Sequence, residues 1–372
     1  MFGTLPTGTP IEYSAVSSSF PQWGSDVSQK ICLIGFGTVG RGLVEILRDK
    51  RDLLADQFEY QPTVVAVSDV FHGTCHDPAG LDLDRVLDLV SRKGAEPGAL
   101  TGYSDTVCEW DSLETIRQCG ADAMVEVTLT NIETGEPALS HCQAALEAGA
   151  HVVTTNKGPV ALAWRDLSRL ARSRDLQFRF EGTVMSGTPV LSTATEALAG
   201  CDFGRIRGIL NGTTNYILSE MEQGRPYEEA LSTAQELGYA EADPTADVEG
   251  YDVVAKVVIL ANVVMGADMN VADVVREGIT GLDADSVSSA PGRGGRWKLI
   301  GQVERVGEEV VASVTPVELP LEDPLASVGG VTNAVTLESD LVGPVTIVGA
   351  GAGKEATGMA LLSDLVAIQR AG

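Results

Sequence analysis

Asp252 and Lys256 lie at the start of an apolar stretch, and their spacing could support acid–base chemistry. Between residues 253 and 264 every residue is Val, Ala, Leu or Ile except Lys256 and Asn262. A helix that is apolar nearly all round is normally buried, so a charge on it is costly unless it is paired or faces a polar cavity. Residues four apart share one helix face, and here the acid precedes the lysine. The pair predicts either an internal salt bridge or a lysine beside a polar site.

Four further acids precede this helix: Glu241, Asp243, Asp247 and Glu249. One lysine cannot neutralise so many carboxylates. Carboxylates bind cations and ammonium groups through charge-assisted hydrogen bonds, which are stronger than neutral ones. The cluster therefore predicts a site for a cation or an ammonium group.

A glycine-rich turn near the start of the chain follows a short apolar strand and opens an amphipathic helix. Glycines permit a tight turn and let a pyrophosphate approach the helix N-terminus, whose free N–H groups and dipole favour an anion. Without a ligand, the same pattern would only be a turn between strand and helix. Its position favours dinucleotide binding. The residues expected at this contact are Gly35, Phe36, Gly37, Thr38, Val39 and Gly40.

Asp69 follows the second predicted strand, 29 residues after the last glycine of the turn. The usual spacing is about 20 residues, so the intervening helix and loop must be longer. An acid here accepts hydrogen bonds from ribose hydroxyls and would repel a 2′-phosphate, which favours NAD over NADP. Arg48, Lys50 and Arg51 could offset that repulsion, so the sequence leaves the choice between NAD and NADP open.

Alternating strands and helices predict an α/β chain. A buried strand at 123–128 would place Thr128 and Thr130 at its carboxyl end, where doubly wound sheets bind ligands. From about residue 160 the pattern changes to mixed strands such as 178–181, 206–211 and 309–316.

Three segments are expected from this pattern. Residues 1–28 would be a flexible extension with Phe20 and Trp23 as anchors. A Rossmann-type nucleotide-binding domain would span 29–160 and be completed by 343–372. An α+β domain with an open mixed sheet, at 161–342, would bind substrate, carry the catalytic residues and dimerise.

Composition narrows the classes of function. The net charge of −26 argues against nucleic acid or an anionic membrane as a partner. The 372 residues contain no run of 18 apolar residues, so no membrane span is predicted. Six scattered cysteines without a Cys-x-x-Cys pair indicate reduced thiols and a cytoplasmic protein. His72, Cys75 and His76 could suggest a metal site, but they are interpreted as a solvated loop.

Several motifs together resemble the homoserine dehydrogenase family, in the family's order and from about residue 30 to the end of the chain. The block 238–256 is highly specific, whereas the glycine turn is shared by many oxidoreductases. The segments that carry the resemblance are 35–40, 155–159, 181–189, 208–216, 238–256 and 349–353.

The resemblance implies NADP- or NAD-dependent interconversion of L-aspartate 4-semialdehyde and L-homoserine. Lys256 would donate a proton to the aldehyde oxygen, Asp252 would bind substrate or a catalytic water, and Lys157 would lie near nicotinamide and substrate. Glu241 would bind the substrate amino group. The other residues of the pocket would be Asp247, Tyr239, Gly212 and Thr213.

The resemblance also implies contacts of Gly238 and Gly353 with the cofactor, and a homodimer with its interface at roughly 190–320. Neither an aspartate kinase nor a C-terminal regulatory domain is expected. Met185 and Ser186 stand where relatives often have small, glycine-like residues. A monovalent cation, usually sodium, would be bound by Glu181 and the backbone carbonyls of Val184, Ser186 and Thr188.

Two alternatives stay open at this point. One is a related oxidoreductase that acts on another small amino acid aldehyde or keto acid. The other is a non-catalytic nucleotide-binding regulator, which should have lost the proton donor, whereas Lys256, Lys157 and Asp252 are all present.

The acidic composition predicts salt dependence, as in a protein from a salt-adapted organism. The 52 acids outnumber the 26 basic residues, so the folded chain repels itself. Screening shortens the Debye length from about 10 Å at 0.1 M salt to about 3 Å at 1 M. Both the melting temperature and the activity should therefore rise between about 0.1 M and 2 M KCl. Equal melting temperatures in the two solutions would contradict this expectation.

Overall fold

The computed structural model describes residues 28–91, 96–105 and 107–371. The expected extension, with Phe20 and Trp23, lies outside these residues apart from Ser28. Two six-stranded sheets organise the described chain. None of the helices in these ranges is long and apolar enough to cross a membrane.

The first sheet has the strand order β3-β2-β1-β4-β5-β6, the order of a Rossmann fold. All neighbours are parallel except β2 and β3, which are antiparallel. Its strands are β1 (Lys30–Ile34), β2 (Thr63–Asp69), β3 (Gly73–His76), β4 (Ala123–Glu126), β5 (His151–Thr154) and β6 (Phe178–Arg179). The helices of this half are α1 (Thr38–Asp49), α2 (Arg51–Phe58), α3 (Leu83–Ser91), α4 (Ser112–Gln118), α5 (Ala138–Ala148) and α6 (Lys157–Ser173).

Two sequence expectations about this half were wrong. The strand expected at 178–181 was placed in the substrate domain, yet β6 pairs in parallel with β5 and closes the first sheet. The segment from His72 to His76 is no solvated loop, because β3 pairs with β2 and the side chain of Cys75 is buried. In the described residues, no group of three or more His, Cys, Asp or Glu side chains could hold a metal ion.

The second sheet has the order β12-β11-β7-β9-β10-β8 and is open and mixed, since only β8 and β10 pair in parallel. Its strands are β7 (Phe203–Ile209), β8 (Val275–Arg276), β9 (Gly295–Val306), β10 (Glu309–Pro320), β11 (Thr332–Ser339) and β12 (Gly343–Ala350). The helices are α7 (Gly212–Glu222), α8 (Tyr227–Glu236), α9 (Thr245–Val248), α10 (Tyr251–Val263), α11 (Ala284–Ser289) and α12 (Lys354–Ala371).

Helix α10 is buried along nearly its whole length, as its apolar sequence predicts. It lies against β9 at Gly301, where an added Cβ would come within 2.8 Å of side-chain atoms of Val253 and Val257. The glycine thus lets the helix approach the sheet closely. This packing fixes the start of α10, where Asp252 and Lys256 are found.

The C-terminal segment is divided between the two halves. Strand β12 pairs with β11 in the second sheet, so it does not complete the nucleotide-binding half as expected. Helix α12 returns to α1, where Gly42 lies against the backbone of Lys354 and Gly358 lies against Ile46. Only the helix, and not the whole of 343–372, therefore packs on the first half.

Candidate active site

Two lysines from different halves of the structure meet one carboxylate. Lys256 donates through Nζ to Asp252 Oδ2 at 2.7 Å and to the carbonyl of Leu210 at 2.6 Å. Lys157, the first residue of α6, has its Nζ 3.5 Å from Asp252 Oδ1. The salt bridge considered from the sequence is thus present, but it is shared with a second lysine. This arrangement connects the end of β5 with the start of α10.

Asn211, which sequence reasoning missed, joins a second carboxylate to this group. It precedes α7, and its Nδ2 donates to Asp247 Oδ1 at 2.7 Å and to Asp252 Oδ2 at 3.1 Å. Its position beside Gly212 and Thr213 was the only signal in the sequence. One network therefore joins four of the predicted residues. The amide of Asn211 connects Asp247 to Asp252, and Asp252 pairs with Lys256 and Lys157.

Burial and charge act in opposite directions on the two carboxylates. Burial alone would raise the pKa of Asp252, but Lys256 and Lys157 outweigh it and hold that pKa well below its usual range. Burial raises the pKa of Asp247, and the negative charge of Asp252 adds to this shift. Asp252 is thus a permanent anion, while Asp247 is the carboxylate whose charge is easier to lose.

The other predicted acids do not join the network. Glu249 lies 3.6 Å from Arg276 and accepts a hydrogen bond from Thr280 at 2.7 Å. Asp243 accepts from the backbone N–H of Thr245 in the loop before α9. Glu241 is exposed on the same loop. The acid cluster of the network is therefore smaller than the sequence indicated. One reason is that Glu249 pairs with Arg276, which is distant from it along the chain.

The wall of the pocket is formed by the start of α7 and the turn after α8. Thr213 donates to the carbonyl of Tyr239 at 2.6 Å, which ties these two elements together. The ring of Tyr239 packs edge to face on Tyr216. A Cβ on Gly212 would lie 2.7 Å from the carbonyl oxygen of Val331, so only glycine fits this close approach.

The glycine turn has the shape that a dinucleotide needs. Gly35 has φ of 96°, and a Cβ there would meet the backbone of Val127 at 2.7 Å. A Cβ on Gly40 would lie 2.6 Å from the carbonyl oxygen of Gly35. By contrast, a Cβ on Gly37 meets no protein atom, and no side chain caps α1, which begins with Thr38 and Val39. Open space beside uncapped N–H groups fits a pyrophosphate.

Asp69 holds the same turn from the end of β2. Its Oδ2 accepts from the N–H of Phe36 at 2.8 Å, and its Oδ1 accepts from Phe71 and His72 at 3.0 and 2.9 Å. Burial would raise its pKa, but these three donors outweigh burial and lower it. Asp69 therefore stays an anion next to the turn, at the place predicted from the sequence.

Glu126, also missed from the sequence, supports the loops after β4 and β5. It is fully buried and accepts from the N–H and the hydroxyl of Thr128, while the ring of His141 lies 3.5 Å away. Asn156 caps α6 and donates to the carbonyl of Thr128 at 3.2 Å. The predicted cofactor residue Thr128 and the start of α6 are thereby connected, whereas Thr130 is exposed beyond them. Gly238 and Gly353, the other predicted cofactor contacts, are exposed on loops with positive φ.

The expected cation site lies in the turn after β6. The carboxylate of Glu181 is buried and accepts from the N–H groups of Leu191 and Ser192 at 2.9 and 2.7 Å. Burial raises the pKa of this carboxyl. Met185 and Ser186, between Val184 and Thr188, have φ of 59° and 53°, a region that favours glycine. The backbone of this turn is thus strained at two residues that are not glycine.

Comparisons with known proteins agree with this geometry. A family model described as "Homoserine dehydrogenase, NAD binding domain" matches residues 35–181, and one described as "Homoserine dehydrogenase" matches 189–366. An NAD(+)-dependent homoserine dehydrogenase of Pseudomonas canavaninivorans is 46% identical, over 92% of this chain and 96% of its own length. The chain belongs to the homoserine dehydrogenase family. It is therefore an NAD(P)-dependent oxidoreductase.

Further relatives show how widely the family likeness extends. The homoserine dehydrogenase of Methanocaldococcus jannaschii is 41% identical, over 91% of this chain and 98% of its own. Among solved structures, a hyperthermophilic archaeal homoserine dehydrogenase in complex with NADPH has a TM-score of 0.79 and 29% identity, over 93% of this chain and 99% of its own. One from Thiobacillus denitrificans has a TM-score of 0.79 and 32% identity, over 92% of this chain and 74% of its own.

The glycine turn offers a matched pair of variants. Gly37→Val adds a side chain where no protein atom lies, so the fold should keep its melting temperature while the affinity for NAD falls about 10- to 100-fold through lost bonds to the pyrophosphate. Gly40→Ala collides with the carbonyl of Gly35 and should cost about 1–3 kcal/mol of stability. Calorimetry and NAD titration measure both effects. Unchanged NAD affinity in Gly37→Val would contradict a pyrophosphate at this turn.

Proposed function

We propose that the chain interconverts L-homoserine and L-aspartate 4-semialdehyde with NAD, through Lys256, Asp252 and Lys157. The observation that carries this proposal is the convergence of both lysines on Asp252, between the nucleotide-binding half and the second sheet. The nicotinamide, when bound, supplies a hydride to the aldehyde carbon or accepts it from the alcohol. The side chains must then handle the proton and the charge on oxygen.

Lys256 is suited to give that proton. Its ammonium carries three N–H donors, of which two are used by Leu210 and Asp252. The third remains for the substrate oxygen. A positioned ammonium stabilises a developing alkoxide and transfers a proton to it, and burial strengthens this interaction. Lys157 adds positive charge from the other side of Asp252.

The amino acid part of the substrate would be bound by the acids of the pocket. Glu241 and Asp247 are proposed to pair with the substrate ammonium, with Thr213, Gly212 and Tyr239 as the wall. The exposed position of Glu241 on the loop before α9 would let it reach a bound ligand.

Asp69 supports a preference for NAD. Its charge would repel a 2′-phosphate. Of the bases considered as an offset, Arg48 lies about 15 Å along α1 from its first residue, and Lys50 and Arg51 lie beyond the end of that helix. Arg48 is moreover paired with Asp49 at 2.7 Å and Asp84 at 3.3 Å. The Pseudomonas relative is described as NAD(+)-dependent, whereas the archaeal structure holds NADPH. The proposed preference therefore rests on Asp69 of this chain.

Homoserine oxidation with NAD and NADP side by side tests the proposed substrate and cofactor together. We expect kcat/KM with NAD to exceed that with NADP at least about tenfold, since a like charge beside the 2′-phosphate is costly. L-Serine, one methylene shorter, should be oxidised far more slowly. Equal rates with serine would favour the alternative, a related oxidoreductase, and equal use of NADP would contradict the role of Asp69.

Lys256→Met tests the proton donor and keeps most of the side-chain volume. We expect turnover to fall about 10²- to 10⁴-fold with unchanged NAD affinity, because the lysine acts on the substrate oxygen. Lys298→Met is the matched control, since Lys298 is also buried but donates to Asn215 and the carbonyl of Val328 outside the network. The control should lose stability and keep its turnover. A Lys256→Met enzyme with more than about a tenth of wild-type turnover would refute the assignment.

A sodium ion and a homodimer also belong to the proposal. The strained turn from Val184 to Thr188 favours a cation held by backbone carbonyls, with Glu181 supplying negative charge nearby. Three valines of the second sheet are exposed within 190–320, and a dimer interface could bury their apolar surface: Val275, Val306 and Val311. A cytoplasmic location stays a prediction from the unpaired cysteines of the chain.

A further inference from the structure

Asn211 is held in one orientation by the helix that follows it. It is the N-cap of α7, and its Oδ1 accepts from the backbone N–H of Thr214 at 2.9 Å. Only the oxygen of a carboxamide can accept this bond, so the amide nitrogen must face the other way. The residue is buried, with 6% of its surface exposed.

The orientation directs two N–H donors at two acids from different helices. Asp247 of α9 is 2.7 Å and Asp252 of α10 is 3.1 Å from Nδ2. Like charges held this close would otherwise separate, or one would take up a proton. A neutral donor between them stabilises both as anions without replacing the lysines.

We propose that Asn211 is a positioning residue whose carboxamide holds Asp247 and Asp252 in place. Asp247 then faces the substrate ammonium as an anion, and Asp252 keeps its salt bridge to Lys256. This inference rests on the proposed function. The two roles divide between helices: Asp252 is neutralised by Lys256 and Lys157, so Asp247 retains its charge for the substrate.

The pH dependence follows from the charges around Asp247. Burial raises the pKa of Asp247 most, and the charge of Asp252 adds to this. Asn211, Lys256 and Thr213 lower it, and Lys157 acts through Asp252. Loss of the amide donor therefore raises the pKa of Asp247. The anion would then form only at higher pH, and the acid limb of kcat/KM would move upward.

Asn211→Ser separates clamping from helix capping, because serine is an equally good N-cap but lacks the two N–H donors. We expect KM for homoserine to rise about 10- to 100-fold, as for a lost hydrogen bond to a charged group, with a several-fold fall in kcat. The acid limb of kcat/KM should shift up by about one to two pH units. The KM for NAD should stay unchanged, because Asn211 lies outside the nucleotide-binding half.

Asp283→Ser is the matched control, since Asp283 caps α11 in the same way outside the network. It should leave both KM values and the pH profile at wild-type values. Asn211→Asp is the second variant, which keeps size and cap but adds a third carboxylate, and it should lose more activity than the serine variant.

Either Asn211 variant with a homoserine KM within about twofold of wild type and an unshifted acid limb would overturn the proposal. If Asn211→Ser does not fold, Asn211→Asp decides by the same criteria, and failure of both to fold while Asp283→Ser folds would show that the residue serves the fold and overturn the clamp. A wild-type enzyme that does not oxidise homoserine would instead refute the proposed function.

Discussion

One half-buried carboxylate sets the demands on the rest of the molecule. Asp252 is largely shielded from water and can stay ionised only if positive charge reaches it, and Lys256 on its own helix supplies one part. The other part comes from Lys157, which belongs to the Rossmann half. The two halves must therefore be held in a fixed relation, since a shift of a few ångströms would separate Lys157 from Asp252. Contacts of α6 with α10, and of α12 with α1, provide that relation.

Most of the Rossmann half could be predicted from the sequence, because strand, glycine turn and helix follow one another locally. The strands expected before the glycine turn, before Asp69 and at 123–128 are all present, although the last of them ends at Glu126. Strand β6 could not be placed, since two paired residues carry no periodicity that would separate an edge strand from the next domain. Strand β12 was misplaced for a related reason: its pairing with β11 is a tertiary choice that the sequence pattern does not encode.

The site was predictable where its members are close along the chain. Asp252 and Lys256 are one helical turn apart, so spacing alone places them on one helix face and predicts their salt bridge as one of two outcomes. The family resemblance added Lys157. The expectation that all four acids before α10 would lie at the site was wrong. Glu249 pairs with Arg276 only in the folded chain, and sequence spacing could not reveal this pair. Asn211 was missed because an uncharged amide gives no signal until the two carboxylates it bridges are seen in space.

Asp69 connects cofactor choice to the shape of the cofactor site. Its Oδ1 takes two backbone N–H groups, and its Oδ2 takes one, which leaves about one lone pair for a ribose hydroxyl. The same carboxylate thus fixes Phe36 in the glycine turn and is the group proposed to repel a 2′-phosphate. A change of Asp69 alone, made to admit NADP, would also remove the acceptors of three N–H groups. Under the proposed preference for NAD, admitting NADP would therefore require new partners for the loop as well as a new charge, because the proposed cofactor preference and the fold of the glycine turn depend on the same side chain.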